Sequence, residues 1–144
     1  MILRSDEVRK RLSGRAPTDR LPPDAYQPAA SAEVYAEIYA AAGACLDAGR
    51  SVILDAVFLN PRERGGAEAV ARSRGLRFDG IWLEAPVNVL RGRIERRRDD
   101  ASDADAVVLE LQLGLDPGVI GWVRRLSSDA RAAGADLDQV LNES

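Results

Sequence analysis

The chain has 144 residues, 46% hydrophobic and 30% charged, with a formal net charge of −3 and a pI near 5.1. That balance suits one globular domain with its own core, and it gives no global attraction to nucleic acid or to an anionic membrane. No run approaches the ~18 apolar residues of a membrane span and no basic-then-apolar leader opens the chain, so a cytoplasmic protein with no membrane partner is expected.

Ile2–Leu3 read as a short strand, and Ser5 or Asp6 is placed to cap a helix from Glu7 to about Leu12. Residues 13–30, rich in Pro, Gly and Asp, read as a loop. Ser31 is expected to cap a helix reaching about Ala48, with Val34, Ile38, Ala41, Ala42 and Cys45 on one face and Gly49 closing it. The near-continuous apolar run Ser51–Phe58 predicts a strand covered on both sides. Asn60, Pro61 and Glu63 give an N-cap, a proline at the first helical position and a capping-box partner. That helix runs toward Arg74, weakened by Gly65-Gly66.

Phe78–Ala85 is the next strand and Pro86 to about Arg98 the next helix. Ser102 or Asp103 caps a helix over roughly Ala104–Leu113, Trp122–Leu126 makes a last short strand, and Asp129–Leu141 a terminal helix. Buried strands alternating with helices predict an α/β domain, a three-layer parallel sheet with flanking helices. Ligands in such folds sit at the carboxyl ends of the strands.

The chain contains no histidine, one cysteine and one lysine, Lys10. Imidazole acid–base chemistry and the common zinc sites are thereby excluded, and chemistry rests on carboxylates, arginines, hydroxyls and backbone amides. Asp6 follows the first strand, where a carboxylate can orient and partly deprotonate a substrate hydroxyl; it also simply favours a helix dipole. Asp55 interrupts an apolar strand, where a charge is costly unless paired or coordinating, and a strand-end aspartate can hold hydrated magnesium or a substrate hydroxyl. A local turn or cap role is the plainer reading. Arg91–Arg98 carries five arginines. Arg93 and Arg97, four apart, lie together on a helix; one or two arginines of the run suit a phosphate clamp, although such a run is also an ordinary solvated face. No aromatic residues are interleaved, which argues against nucleic acid. Trp82, Trp122 and Cys45 read as packing residues.

The segments LRSDEVRKRL, RLPPDAY, AGRSVILDAVFLNPRER, IWLEAPVNVLRGRIERRRDDASDAD and DPGVIGWVRRL together resemble the small P-loop kinases. Most similar is the AAA-type ATP-binding kinase domain often fused behind an aminoglycoside-phosphotransferase-like domain. Gluconate, shikimate and polynucleotide kinases and zeta-type toxins are more distant. The resemblance implies transfer of phosphate from ATP, with Mg²⁺, to a hydroxyl of a small molecule or nucleotide. It places Asp6 at the acceptor hydroxyl and Arg9 near the substrate. Asp55 falls near the phosphates and the metal, and Arg93 and Arg97 fall in a lid at about 91–105, Arg97 also assisting transfer.

One family element is missing. The sequence holds no G-x-x-x-x-G-K-[ST] loop, whose backbone amides cradle the phosphates, and Lys10 stands in RKRLSG. On the family layout residues 1–144 read as a single domain incomplete at its N-terminus, short by roughly 20–30 residues including a central strand. The chain alone is then expected to be inactive or a non-catalytic binding module. Open strand edges make self-association, or pairing with a missing N-terminal segment, the expected partnership.

Overall fold

The computed structural model describes residues 1–16, 18–19, 21–96 and 106–126. Within them the order is β1 (Ile2–Arg4), α1 (Ser5–Leu12), a 3-10 turn (Pro23–Tyr26), α2 (Pro28–Asp47), β2 (Ile53–Asp55), α3 (Pro61–Arg72), β3 (Ile81–Glu84), α4 (Val87–Arg96), α5 (Ala106–Leu113) and β4 (Val123–Leu126). The architecture is α/β, with every strand pair parallel. One continuous sheet is not formed: β1 pairs with β2, Ile2 opposite Ile53 and Arg4 opposite Asp55, and β3 pairs separately with β4, Ile81 opposite Val123 and Glu84 opposite Leu126.

Several element ends differ from the sequence reading, each for a local reason. Helix α1 already includes Ser5 and Asp6; Arg4 occupies the cap position with no side-chain cap bond. Helix α2 begins at Pro28 rather than behind a Ser31 cap, because proline at the first helical position needs no N–H partner there. The strand predicted over Ser51–Phe58 is only three residues long and is not covered on both sides. Ile53 is 61% exposed, and Asp55 beside it is exposed as well. The caps assigned to Ser102 or Asp103 and the helix Asp129–Leu141 lie outside the described residues.

The core forms where α2 meets its neighbours. Val8 of α1 packs with Val34 and Ile38 of α2, joined by Tyr39 and Leu54. Tyr35, Phe58 and Ala67 form a second cluster that also takes in Tyr39, Leu54, Ala56, Phe78, Trp82 and Trp122. Burying each large aliphatic side chain such as Ile38 contributes about 1.5–3 kcal/mol. The rings of Phe58, Phe78 and Trp122 meet at centroid distances of 5.2 and 5.5 Å, a tilted-to-edge geometry that adds to simple burial. Through these rings one cluster serves both strand pairs.

Helix α3 follows its sequence signals closely. The Asn60 side chain accepts from the Arg62 N–H at 2.9 Å and Glu63 Oε2 accepts from the Asn60 N–H at 3.1 Å, completing the capping box. The glycine pair inside it divides in role. A Cβ on Gly65 would meet nothing within 4 Å, whereas one on Gly66 would stand 2.6 Å from the Tyr39 ring. Gly66 is therefore the residue that lets α3 lie against α2; Gly65 only lowers helix propensity.

Candidate functional site at the carboxyl ends of the strands

Strand β1 passes directly into α1, so Asp6 stands in the first turn of α1, where a carboxylate complements the helix dipole. Asp6 is half-buried there. On the neighbouring strand Asp55 ends β2 in register with Arg4, and the Arg4 Nε–Asp55 Oδ2 separation is 3.5 Å. The parallel register thus brings Asp6 and Asp55 to one end of the β1–β2 pair. The sequence reading of Asp55 as a charge inside a covered strand is corrected: more than half of each partner in the Arg4–Asp55 pair is open to solvent, so the pair adds little stability. Among the described residues no group of three or more His, Cys, Asp or Glu side chains is gathered for a metal ion.

Arg9, read as a substrate contact, is mostly turned inward. It is 8% exposed, donates through Nη1 to Ala25 O at 2.6 Å and Ser31 Oγ at 3.3 Å, and lies 5.0 Å from the Tyr26 ring. Its Nε is buried without a hydrogen-bond partner among the described residues. Arg9 therefore pins the 3-10 turn and the start of α2 beside α1. Lys10 is 2% exposed and so is placed in packing rather than at an open phosphate site.

In the arginine-rich helix α4, Arg93 is half-buried, while exposed Arg91 pairs with Glu110 of α5 at 2.8 Å. That bond ties α4 to α5. Arg97 and the rest of the lid assigned to 91–105 beyond α4 lie outside the described residues.

Three residues absent from the sequence reading hold segments beyond the ends of β2 and β3. Arg64, 4% exposed, donates through Nη1 to Phe58 O at 2.7 Å and Leu59 O at 2.9 Å. Through Nη2 it donates to Pro117 O and, at 3.4 Å, to Val119 O, and its guanidinium lies 5.6 Å from the Trp82 ring centroid. Arg64 shares the buried face of α3 with Ala67 and Ala71, but its charge argued for an outward orientation, so no usable signal for this stood in the sequence. Glu84 closes β3, facing inward like Trp82; its Oε1 accepts from Arg124 at 3.1 Å and its Oε2 is buried without a partner among the described residues. Alternation alone would have put Ile81 and Leu83 inside. The ring of Trp82 takes the inward phase instead, and Leu83 is left 69% exposed.

Tyr35 is the third. Its hydroxyl accepts from the Phe58 N–H at 3.0 Å and also hydrogen-bonds the Glu63 side chain. Burial first, then the Glu63 charge, pushes both Tyr35 and Tyr39 well above the ordinary tyrosine range. The folded state thus holds these protons more tightly than the unfolded chain, whose tyrosines titrate near about 10. Stability from this source is fully present below pH ~10 and is lost as the pH rises beyond it. Urea midpoints measured from pH 8 to 11.5 are expected to be level at first and then to fall. A Tyr35→Phe chain should fall less steeply, and an identical slope in both would show that Tyr35 is not the group involved.

Residues 1–115 match the family model described as AAA domain. The chain belongs to that family. Membership places this AAA domain in distant kinship with the P-loop NTPases and gives it a broad NTPase or phosphotransferase lineage. No curated protein matches the chain. The match covers every residue of the strand ends described above except those of β4, so Asp6, Asp55 and Glu84 of the AAA domain all fall within it. No helix of the described residues is long and apolar enough to cross a membrane.

Proposed function

We propose that this AAA domain serves ATP-dependent phosphoryl transfer to a hydroxyl of a small molecule or nucleotide, with the phosphate cradle supplied by residues outside the present sequence. The observation that carries this reading is the pair of carboxylates at one end of the β1–β2 pair within the family match. In the proposed reaction Asp6 accepts or orients the acceptor hydroxyl's proton and Asp55 lies toward hydrated Mg²⁺. Arg93 and Arg97 offset charge on the transferred group, and Arg97 is the one that stabilises the transition state. Arg9 supports the acceptor side by holding the Tyr26 turn. The exposure of Asp55 leaves it accessible to a hydrated ion and does not by itself favour one. Catalysis of this type is mainly positioning and charge stabilisation, so a chain without the amide cradle retains little of it.

Calorimetric titration of Mg·ATP into the 144-residue chain tests the reading. No heat of binding is expected below millimolar ATP, and micromolar binding is expected once a G-x-x-x-x-G-K-[ST] segment is joined ahead of β1. Failure of the joined chain to bind would remove ATP from the proposal.

A second reading, a non-catalytic binding or self-assembling module, is favoured by one specific observation. Ile2, Ile53, Ile81, Leu83 and Val123 on the strands are each more than half exposed. Apolar strand surface of this kind is a pairing liability. A concentration-dependent sedimentation coefficient in the same sample, without ATP binding in either form, would select this reading.

A further inference from the structure

The two loops gripped by Arg64 come from distant parts of the chain, and their chemistry points to a coupling that does not depend on the reaction proposed above. Phe58 ends the turn after β2 with φ of +52°, the only positive φ outside glycine among the described residues. A side chain with Cβ adopts that region at a cost, and holds it only where its surroundings require it. Three contacts do so here: the Tyr35 hydroxyl on the Phe58 N–H, the Arg64 Nη1 on the Phe58 C=O, and the ring packing against Tyr35 and Trp122. The other arm of Arg64 holds Pro117 and Val119, in the loop between α5 and β4. That loop is itself shaped in advance, with Gly118 at φ of +65° and its N–H donating to Asp116 Oδ1 at 2.8 Å.

We propose that Arg64 is a positioning residue that joins the α5–β4 loop and the β2–α3 turn into one two-state unit, in which loss of the grip on either carbonyl pair lets Phe58 leave its left-handed conformation. The planar guanidinium is required because one group must serve acceptors on two segments at once, which a lysine ammonium on a flexible stem does poorly. The Phe58–Trp122 ring contact joins the same two segments beside Arg64, and the exposed Arg91–Glu110 pair between α4 and α5 adds little to the unit. Burial strengthens the turn side of the grip: the Arg64 charge is taken from water and its bond to the Phe58 carbonyl is buried, so a variant that leaves that carbonyl unpaired is costly.

Amide hydrogen exchange by NMR on the full chain, for the parent, Arg64→Lys and Tyr35→Phe, tests this. Arg64→Lys is expected to speed exchange about tenfold or more at both 56–60 and 114–121, the loss of one charge-assisted hydrogen bond, while Val34 and Ile38 in α2 stay within about twofold. Tyr35→Phe acts only on the turn side, since its hydroxyl engages Phe58 and Glu63. Faster exchange in 114–121 from that substitution is the decisive sign of coupling. Acceleration confined to 56–60 in Tyr35→Phe would overturn the proposal and leave Arg64 as two independent anchors. If Arg64→Lys does not fold, Tyr35→Phe decides alone.

Discussion

Gly80→Ala is expected to destabilise the chain by about 3 kcal/mol or more, enough to unfold a marginal domain. A Cβ at this position would stand 2.5 and 2.6 Å from Cδ2 and Cδ1 of Trp122, distances that no relaxed packing tolerates. The indole is held by three neighbours. Its face and edge meet Phe58 and Phe78, and its Nε1–H donates to Glu68 Oε1 at 2.8 Å. Gly80 also accepts from the Val123 N–H at 3.0 Å, so the backbone cannot swing away without losing the start of the β3–β4 pairing. Urea denaturation followed by tryptophan fluorescence gives the measurement. Gly65→Ala is the matched control: nothing lies within 4 Å, and helix propensity should raise stability by up to about 1 kcal/mol. A Gly80→Ala midpoint within about 0.5 kcal/mol of the parent would mean that Trp122 does not sit on Gly80 in solution.

Asp6→Asn is expected to lower phosphoryl transfer by about 10²–10⁴-fold in a chain that carries a phosphate-binding loop, acting on kcat with little change in KM for ATP. Asparagine keeps the shape of the side chain and loses the ability to take a proton. The dipole interaction of a first-turn carboxylate contributes about 0.3–1 kcal/mol to stability, and its loss is read separately from the loss of transfer. A single-turnover assay with the melting curve of the same protein separates the two effects. Transfer at the parent rate with the fold unchanged would remove Asp6 from the reaction and leave it as a helix-terminal charge.

The α3 signals show how far local chemistry reaches. Asn60, Pro61 and Glu63 specify a helix start within four residues, and no distant contact has to arbitrate. The core positions Val34, Ile38 and Ala42 were legible for the same reason, as a 3.6-residue period. Arg64 and Glu84 were not, because polarity predicted them outward while packing turned them inward. For Arg64 the deciding contacts are carbonyls 53 and 55 residues away, and carbonyls carry no side-chain signal.

By itself the sequence determined the α/β alternation, the caps of α3, the absence of histidine and of a phosphate-loop motif from these residues, and the presence of Asp6 just after one strand and Asp55 at the end of another. Each depends on residue type and near-neighbour spacing alone. Tertiary structure alone decided that the strands form two parallel pairs instead of one sheet, that Asp55 is open to water beside Arg4, and that Arg64 bridges two loops. Strand partners, burial and buried-charge acceptors are set by which surfaces meet, and segments far apart in the chain meet only when the whole chain has packed.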